Sequence, residues 1–282
     1  MPELPELQAL VEGLSAACVG RTIVDATAWQ PSTLKTAHPP LAALDGRTIV
    51  AVRRRGKLIG IATDGPAVVI HLMQGGRLGL TRTTAKRPGR TVALSVGLDR
   101  DEELRLRESG TEHRASVHLL DAEGLRTHPP LVRMGPEPLG LAAATWRERL
   151  VSPPARLHTA LRDGRRVAGI GRAYASDIMW AARLAPFART DRLTDDDCAR
   201  LATAADTVLR QALERARERI TTNLPDREER VTAVHRHYGD PCLRCGRRLE
   251  RVSFTGYELV YCPDCQTGGR VLADRRLSRL LR

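Results

Sequence analysis

The sequence predicts an α+β chain in several domains: an N-terminal helix with an antiparallel β-sandwich, a helical domain, and a C-terminal β-hairpin clasped by cysteines. Three observations predict it. Short β-branched stretches crowd residues 21–130, amphipathic helical patterns follow them, and two CxxC pairs lie near the end of the chain. The expected boundaries are 1–130, 131–225 and 226–282.

The first twenty residues read as a helix, with Leu4, Leu7, Leu10, Val11, Leu14 and Cys18 on one face and Gly20 as its stop. Pro5 and Glu6 suit the entry of that helix, one by its fixed φ and the other by its charge at the positive end of the dipole. Pro2 and Glu3, in the opening "MPELPEL", lie outside that explanation. Strands are expected in "RTIVDATAW", "RTIVAVRRR", "LIGIAT", "AVVIHL", "TVALSVGL", "ELRLRE" and "ASVHLL", which Gly, Pro and Asp punctuate. A proline-rich joint, "HPPLVRMGPEP", leads to helical stretches at "AATWRERLV", "ARLHTALRD", "YASDIMWAARL" and "TDDDCARLATAADTVLRQALERARERI". "TTNLPDREER" reads as a linker, and "ADRRLSRLLR" as an amphipathic end-helix or a solvated tail.

Cys242, Cys245, Cys262 and Cys265 form two CxxC pairs with sixteen residues between them. Each pair can point two thiolates at one ion, and four thiolates complete a tetrahedron with no open position. One structural zinc ion is therefore expected, on strands "RRLERVSF" and "YELVY" joined at Thr255–Gly256. Two disulfides are the alternative, which a cytoplasmic redox poise disfavours. Cys18 and Cys198 are expected to be buried thiols. No organic cofactor is implied.

A formal charge of +12 points to a polyanionic partner, nucleic acid first. No apolar run reaches the ~20 residues needed to span a bilayer, and no signal peptide is apparent, so a cytoplasmic protein is expected. Lys35, Lys57 and Lys86 are the only lysines among 45 cations, which singles out each compact ammonium. Residues 241–282 carry nine arginines against four acids, so this end of the chain suits phosphate. Gly169 and Gly171, in "VAGIGRAYASDI", permit close backbone approach before a helix whose amides can receive a phosphate.

Taken together and in order, "PELPEL", "RRGK" ending at Lys57, "GPEPL", "VAGIG.AY.D.I" and "PC..CG…YCP.CQ" resemble the formamidopyrimidine-DNA glycosylase and endonuclease VIII family of base-excision repair enzymes. The resemblance spans essentially the whole chain. It implies a helix–two-turns–helix DNA-binding domain, a zinc-finger hairpin, and a monomer acting on double-stranded DNA with a damaged base or abasic site in the cytoplasm, at the nucleoid. It further implies that Pro2, once Met1 is removed, is the nucleophile of a glycosylase with apurinic/apyrimidinic lyase activity. Glu3 would be the general acid, Glu6 would orient the N-terminus, and Lys57 would serve phosphate binding or proton transfer. The alternatives are a damaged-DNA-binding paralogue without efficient excision and a glycosylase retuned to bulky or alkylated adducts.

Several positions depart from the family pattern. The base-stack wedge reads Gln74 in "HLMQGG", where methionine is usual. The loop "ESGTEHRAS" lacks the family's Arg-Arg-Phe, leaving His113 and Arg114 as the nearest candidates. The asparagine after Gly171 is Arg172, the finger's arginine is Tyr257, and His158 stands where a phosphate-binding lysine is common. Arg247, Arg251 and Arg270 are nearby cations available to compensate for Tyr257.

Overall fold

The computed structural model describes residues 1–83, 89–109, 113–227 and 229–272, organised as two compact units: 1–133 with 213–229, and 134–212 with 230–282. The expected end-helix at 273–282, Lys86, and residues 110–112 of the loop that begins at Glu108 lie outside the described residues.

In the first unit, helix α1 (Leu4–Cys18) enters through Pro5 and buries Leu4, Leu7, Leu10, Val11, Leu14 and Cys18. Burial pushes the Cys18 thiol up to about 11, so it packs as an apolar group. Eight strands follow: β1 (Ile23–Ala28), β2 (Ile49–Arg55), β3 (Leu58–Thr63), β4 (Ala67–His71), β5 (Gly76–Arg82), β6 (Val92–Leu98), β7 (Glu102–Glu108) and β8 (Ser116–Leu120). They form two antiparallel four-stranded sheets, ordered β1-β6-β7-β5 and β2-β3-β4-β8. One apolar core takes side chains from both sheets and from α1, among them Leu10, Ile59, Ile70, Leu94 and Leu106. Leu213, Ala216, Ile220 and Leu224 complete it from the far part of the sequence.

Strand β5 is absent from the sequence expectation. Its glycines look like breakers, yet each makes room for a close approach. A Cβ on Gly76 would lie 2.3 Å from the Leu72 carbonyl oxygen, and one on Gly79 would lie 1.8 Å from Asn223 Oδ1. The stretch expected as a linker is likewise not a loose tether. The Leu224 N–H donates to Leu78 O at 3.1 Å and the Leu80 N–H donates to Thr222 O at 3.0 Å, so residues 222–224 run along β5.

Short helices α2 (Ala122–Thr127) and α3 (Pro129–Val132) end the first stretch of this unit. The second unit starts inside the proline-rich joint, at Met134. Its helices are α4 (Ala143–Val151), α5 (Leu157–Ala160), α6 (Arg172–Ala181) and α7 (Asp195–Arg219), whose last turns belong to the first unit. Helix α5 is a single turn, where a longer stretch was expected. Strands β9 (Glu250–Phe254) and β10 (Tyr257–Tyr261) pair through Thr255–Gly256, with Gly256 at φ 78°, and α8 (Pro263–Thr267) follows. Cys198 is buried, as expected. Among the described residues no helix is long and apolar enough to cross a membrane.

Candidate functional site

Pro2 and Glu3 are buried at the start of α1. Glu3 is the N-cap in extended conformation, and it exchanges hydrogen bonds with Glu6 in a capping box: each carboxylate accepts the other's backbone N–H. The bond from Glu3 N to Glu6 Oε2 is 2.8 Å. Two carboxylates are thereby held at the positive end of α1, where the helix dipole stabilises negative charge. This is the local reason for the second Pro-Glu pair: Glu6 fixes the backbone that carries Pro2 and Glu3.

Lys57 sits in the two-residue turn between β2 and β3, where Gly56 takes φ 57°. Arg54, on β2, links that turn to α1: its Nε donates to Gln8 Oε1 at 3.1 Å and its NH1 to Gly56 O at 2.8 Å. His71 faces Leu58 across β3 and β4, and burial together with the Lys57 charge holds its imidazole below the ordinary range. The N-terminal carboxylates and the Lys57 turn thus belong to one cored body. Arg54 is legible only after folding, since its role lies in spanning two elements.

Gln74 is exposed in the β4–β5 loop, beside Met73 at φ 51°. Arg77 braces that loop from inside. It is 8% exposed and donates to Gln74 O, Gly76 O, Pro225 O and Asp226 O, at 2.7–3.2 Å. Glu108, 1% exposed, accepts the Arg114 and Ala115 N–H groups at 2.8 and 2.7 Å. His113 and Arg114 are exposed, with His113 Nδ1 3.9 Å from Glu108 Oε2.

In the second unit, Gly169 takes φ 82° and Gly171 is the N-cap of α6, which begins with Arg172. Asp177 on α6 is 5% exposed and accepts three backbone N–H groups, from Ala233, Val234 and His235, at 2.7–3.2 Å. It fastens α6 to the segment entering the cysteine hairpin. His158 does not fit the expectation of a phosphate-binding cation. It is 3% exposed, its ring packs against Phe187 and Phe254 at 5.3 and 5.5 Å, and burial drives it down to about 4. At neutral pH it is an uncharged core side chain.

The four cysteine Sγ atoms lie within 4.8 Å of one another. Specific pairs are 3.9 Å (Cys242–Cys265), 3.5 Å (Cys245–Cys262) and 3.5 Å (Cys245–Cys265), and all four thiols are free of disulfides. A tetrahedron with metal–sulfur bonds of ~2.3 Å has edges of about 3.8 Å, whereas a disulfide needs about 2.05 Å. The donor set therefore fits one zinc ion and no disulfide pairing. Trp180 Nε1 donates to Cys242 Sγ at 3.3 Å, and the Cys265 N–H lies 3.5 Å from Cys262 Sγ, bonds that steady thiolates. Four thiolates leave the ion no vacant position, so it is structural.

A two-sheet sandwich led by a capped Pro-Glu helix, a glycine-led helical element and a four-cysteine zinc hairpin define a zinc-finger protein of modular build. The formamidopyrimidine-DNA glycosylase N-terminal domain pattern matches residues 1–111, that of the formamidopyrimidine-DNA glycosylase H2TH domain matches 134–223, and the zinc finger found in FPG and IleRS matches 239–268. The chain is 31% identical over 275 residues to the formamidopyrimidine-DNA glycosylase of Geobacter sulfurreducens, covering 94% of this chain and 100% of that relative. It is 32% identical over 297 residues to that of Thermomicrobium roseum, covering 94% and 99%. Its fold matches a Lactococcus lactis FPG mutant solved in complex with Fapy-dG-containing DNA, with TM-score 0.83, 24% identity, and coverage of 94% and 100%. The chain belongs to the formamidopyrimidine-DNA glycosylase family.

Proposed function

We propose that this chain is a bifunctional DNA glycosylase and apurinic/apyrimidinic lyase of base-excision repair, acting on double-stranded DNA with a damaged base or an abasic site. The observation that carries the reading is the capping box, which places the Pro2 ring and two carboxylates together at the head of α1.

Removal of Met1 gives Pro2 a secondary amine with a pKa near ~8, partly unprotonated at neutral pH. That nitrogen bonds to C1′ as the glycosidic bond breaks; the base leaves with the electron pair and takes up the proton that the nitrogen sheds. Glu3 gives a proton to the sugar ring oxygen, the ring opens, and an iminium joins Pro2 to C1′. Loss of the acidified C2′ proton expels the 3′ phosphate by β-elimination, and δ-elimination then expels the 5′ phosphate. Glu6 holds the backbone on which this depends. Lys57, on a turn fastened to α1 by Arg54, presents a movable point charge for a flanking phosphate or for proton transfer. The nucleotide must leave the stack, at a few kcal/mol, and in this reading Gln74, His113 and Arg114, all exposed, fill its space. The zinc hairpin and the α6 N-terminus supply DNA contacts, and the protein works in the cytoplasm at the nucleoid.

Borohydride trapping on abasic-site DNA tests the reading. Wild type should give a covalent adduct and Pro2→Gly none; a wild type that shifts DNA without cross-linking overturns it. Gln74 at the wedge favours one second reading, a glycosylase retuned to larger adducts. Such an enzyme forms the adduct on abasic DNA, ignores 8-oxoguanine and releases a bulkier base.

A further inference from the structure

The second unit contains a cationic site that no single departure from the family pattern explains. The Arg172 guanidinium lies 4.3 Å from the centroid of the Tyr257 ring, and the Arg162 guanidinium lies 4.8 Å from the same ring. Phe254 stacks on Tyr257 at 4.6 Å with 6° between the planes, which fixes the ring from the hairpin side. Arg172 NH1 also reaches the Gly256 carbonyl oxygen, at 3.5 Å.

Two guanidiniums drawn to one ring repel each other, and a carboxylate would ordinarily neutralise them. Here the neighbouring carboxylates are committed elsewhere. Asp163, next to Arg162 in sequence, pairs with Arg165 and Arg166. Glu258, next to Tyr257, pairs with Arg251. Asp177, on the helix that Arg172 begins, is spent on three backbone N–H groups. Among the described residues neither Arg162 nor Arg172 has an ion-pair partner. A ring face holds cations without neutralising them, so the pair keeps its full charge for an external anion.

We infer that Arg162 and Arg172, set by the Tyr257 ring, form a two-guanidinium clamp for a phosphodiester of duplex DNA. Tyr257 is the positioning residue and Arg162 a further binding residue. The inference deepens the proposed function and rests on its DNA-binding part. It accounts for two sequence departures at once: the finger loses its cation at 257, and the start of α6 gains one at 172 that leans on the ring put in its place. Charge moves from the hairpin tip to the helical elements.

Binding is read by fluorescence anisotropy with a duplex carrying a tetrahydrofuran abasic analogue, between about 0.05 and 0.2 M salt. Arg162→Gln and Arg172→Gln should each weaken binding three- to tenfold and lower the salt slope by about 0.9. Tyr257→Leu removes no charge, yet should weaken binding about threefold, and Tyr257→Phe should match wild type. In the Arg172→Gln background, Tyr257→Leu should cost less than it does alone. Arginine variants with wild-type affinity and slope overturn the clamp, and strictly additive Arg172 and Tyr257 effects overturn the positioning role. If Tyr257→Leu fails to fold, as judged by zinc content, the two arginine variants and Tyr257→Phe still decide the matter. Wild-type borohydride trapping separates the two readings. An enzyme that traps abasic DNA while its arginine variants bind undiminished keeps its function and loses its clamp. A wild type that traps nothing loses the catalytic reading, while the binding series still judges the clamp.

Discussion

The Glu3 backbone N–H donates to the Glu6 carboxylate at 2.8 Å, and the Glu3 carboxylate accepts the Glu6 N–H in return. One pair of residues thus caps α1 and holds the group assigned to proton transfer. The two duties can be separated. Glu3→Gln keeps an acceptor at the cap, so its urea unfolding should stay within about 0.5 kcal/mol of wild type. Its base release in single turnover should fall by about 10²- to 10⁴-fold. Glu6→Ala should cost about 1 kcal/mol in the same unfolding measurement. Equal rates for Glu3→Gln and wild type would leave Glu3 as a cap alone.

Zinc and the hairpin should be lost together, because metal binding and folding share one free energy there. Elemental analysis should find one zinc per chain. Chelation, or Cys262→Ser, should abolish both the metal and the near-ultraviolet signal of Trp180, whose indole N–H donates to Cys242. DNA affinity unchanged after chelation would reduce the hairpin to a stabilising appendage.

Acid should weaken the second unit through His158. Its imidazole is held down to about 4 from an ordinary 6.5, chiefly by burial. Between those values the unfolded chain binds the proton and the folded chain does not. His158 therefore imposes no penalty above pH 6.5, and stability falls as pH drops towards 4, by up to ~1.4 kcal/mol per pH unit. Thermal unfolding from neutral pH to pH 4.5 should show the decline, and His158→Leu should make it shallower. A His158→Leu acid limb as steep as that of wild type would contradict this.

Gly13 lies mid-helix on α1, where a Cβ would come within 1.8 Å of the Thr221 carbonyl oxygen. Gly13→Ala should destabilise by about 3 kcal/mol despite the better helix propensity of alanine. Gly164→Ala, whose Cβ meets nothing within 4 Å, should stay within about 0.5 kcal/mol. Urea denaturation of both variants decides it.

Local periodicity and spacing made much of this molecule readable. The face of α1, seven of the eight sandwich strands and the CxxC pairs are all short-range patterns. What escaped depends on contacts far apart in sequence. Strand β5 hides because its glycines mimic a turn, although Gly79 makes room for Asn223, far along the chain, and Gly76 for Leu72, four residues back. The resemblance marks His158 as a phosphate-binding position, and only packing against Phe187 and Phe254 turns it into core. Arg54, Arg77 and Arg162 are lost among 45 cations, since nothing local distinguishes a bracing guanidinium from a solvated one. Asp177 stood in a motif, but its three backbone partners lie more than fifty residues on.

The first unit draws Ile220 and Leu224 into the core that also holds Leu7 and Leu10. A ribosome must therefore deliver almost four-fifths of the chain before that core can close, roughly 10–45 s at ~5–20 residues per second. Throughout that interval the apolar face of α1 stays unsealed, waiting on partners translated about two hundred residues later.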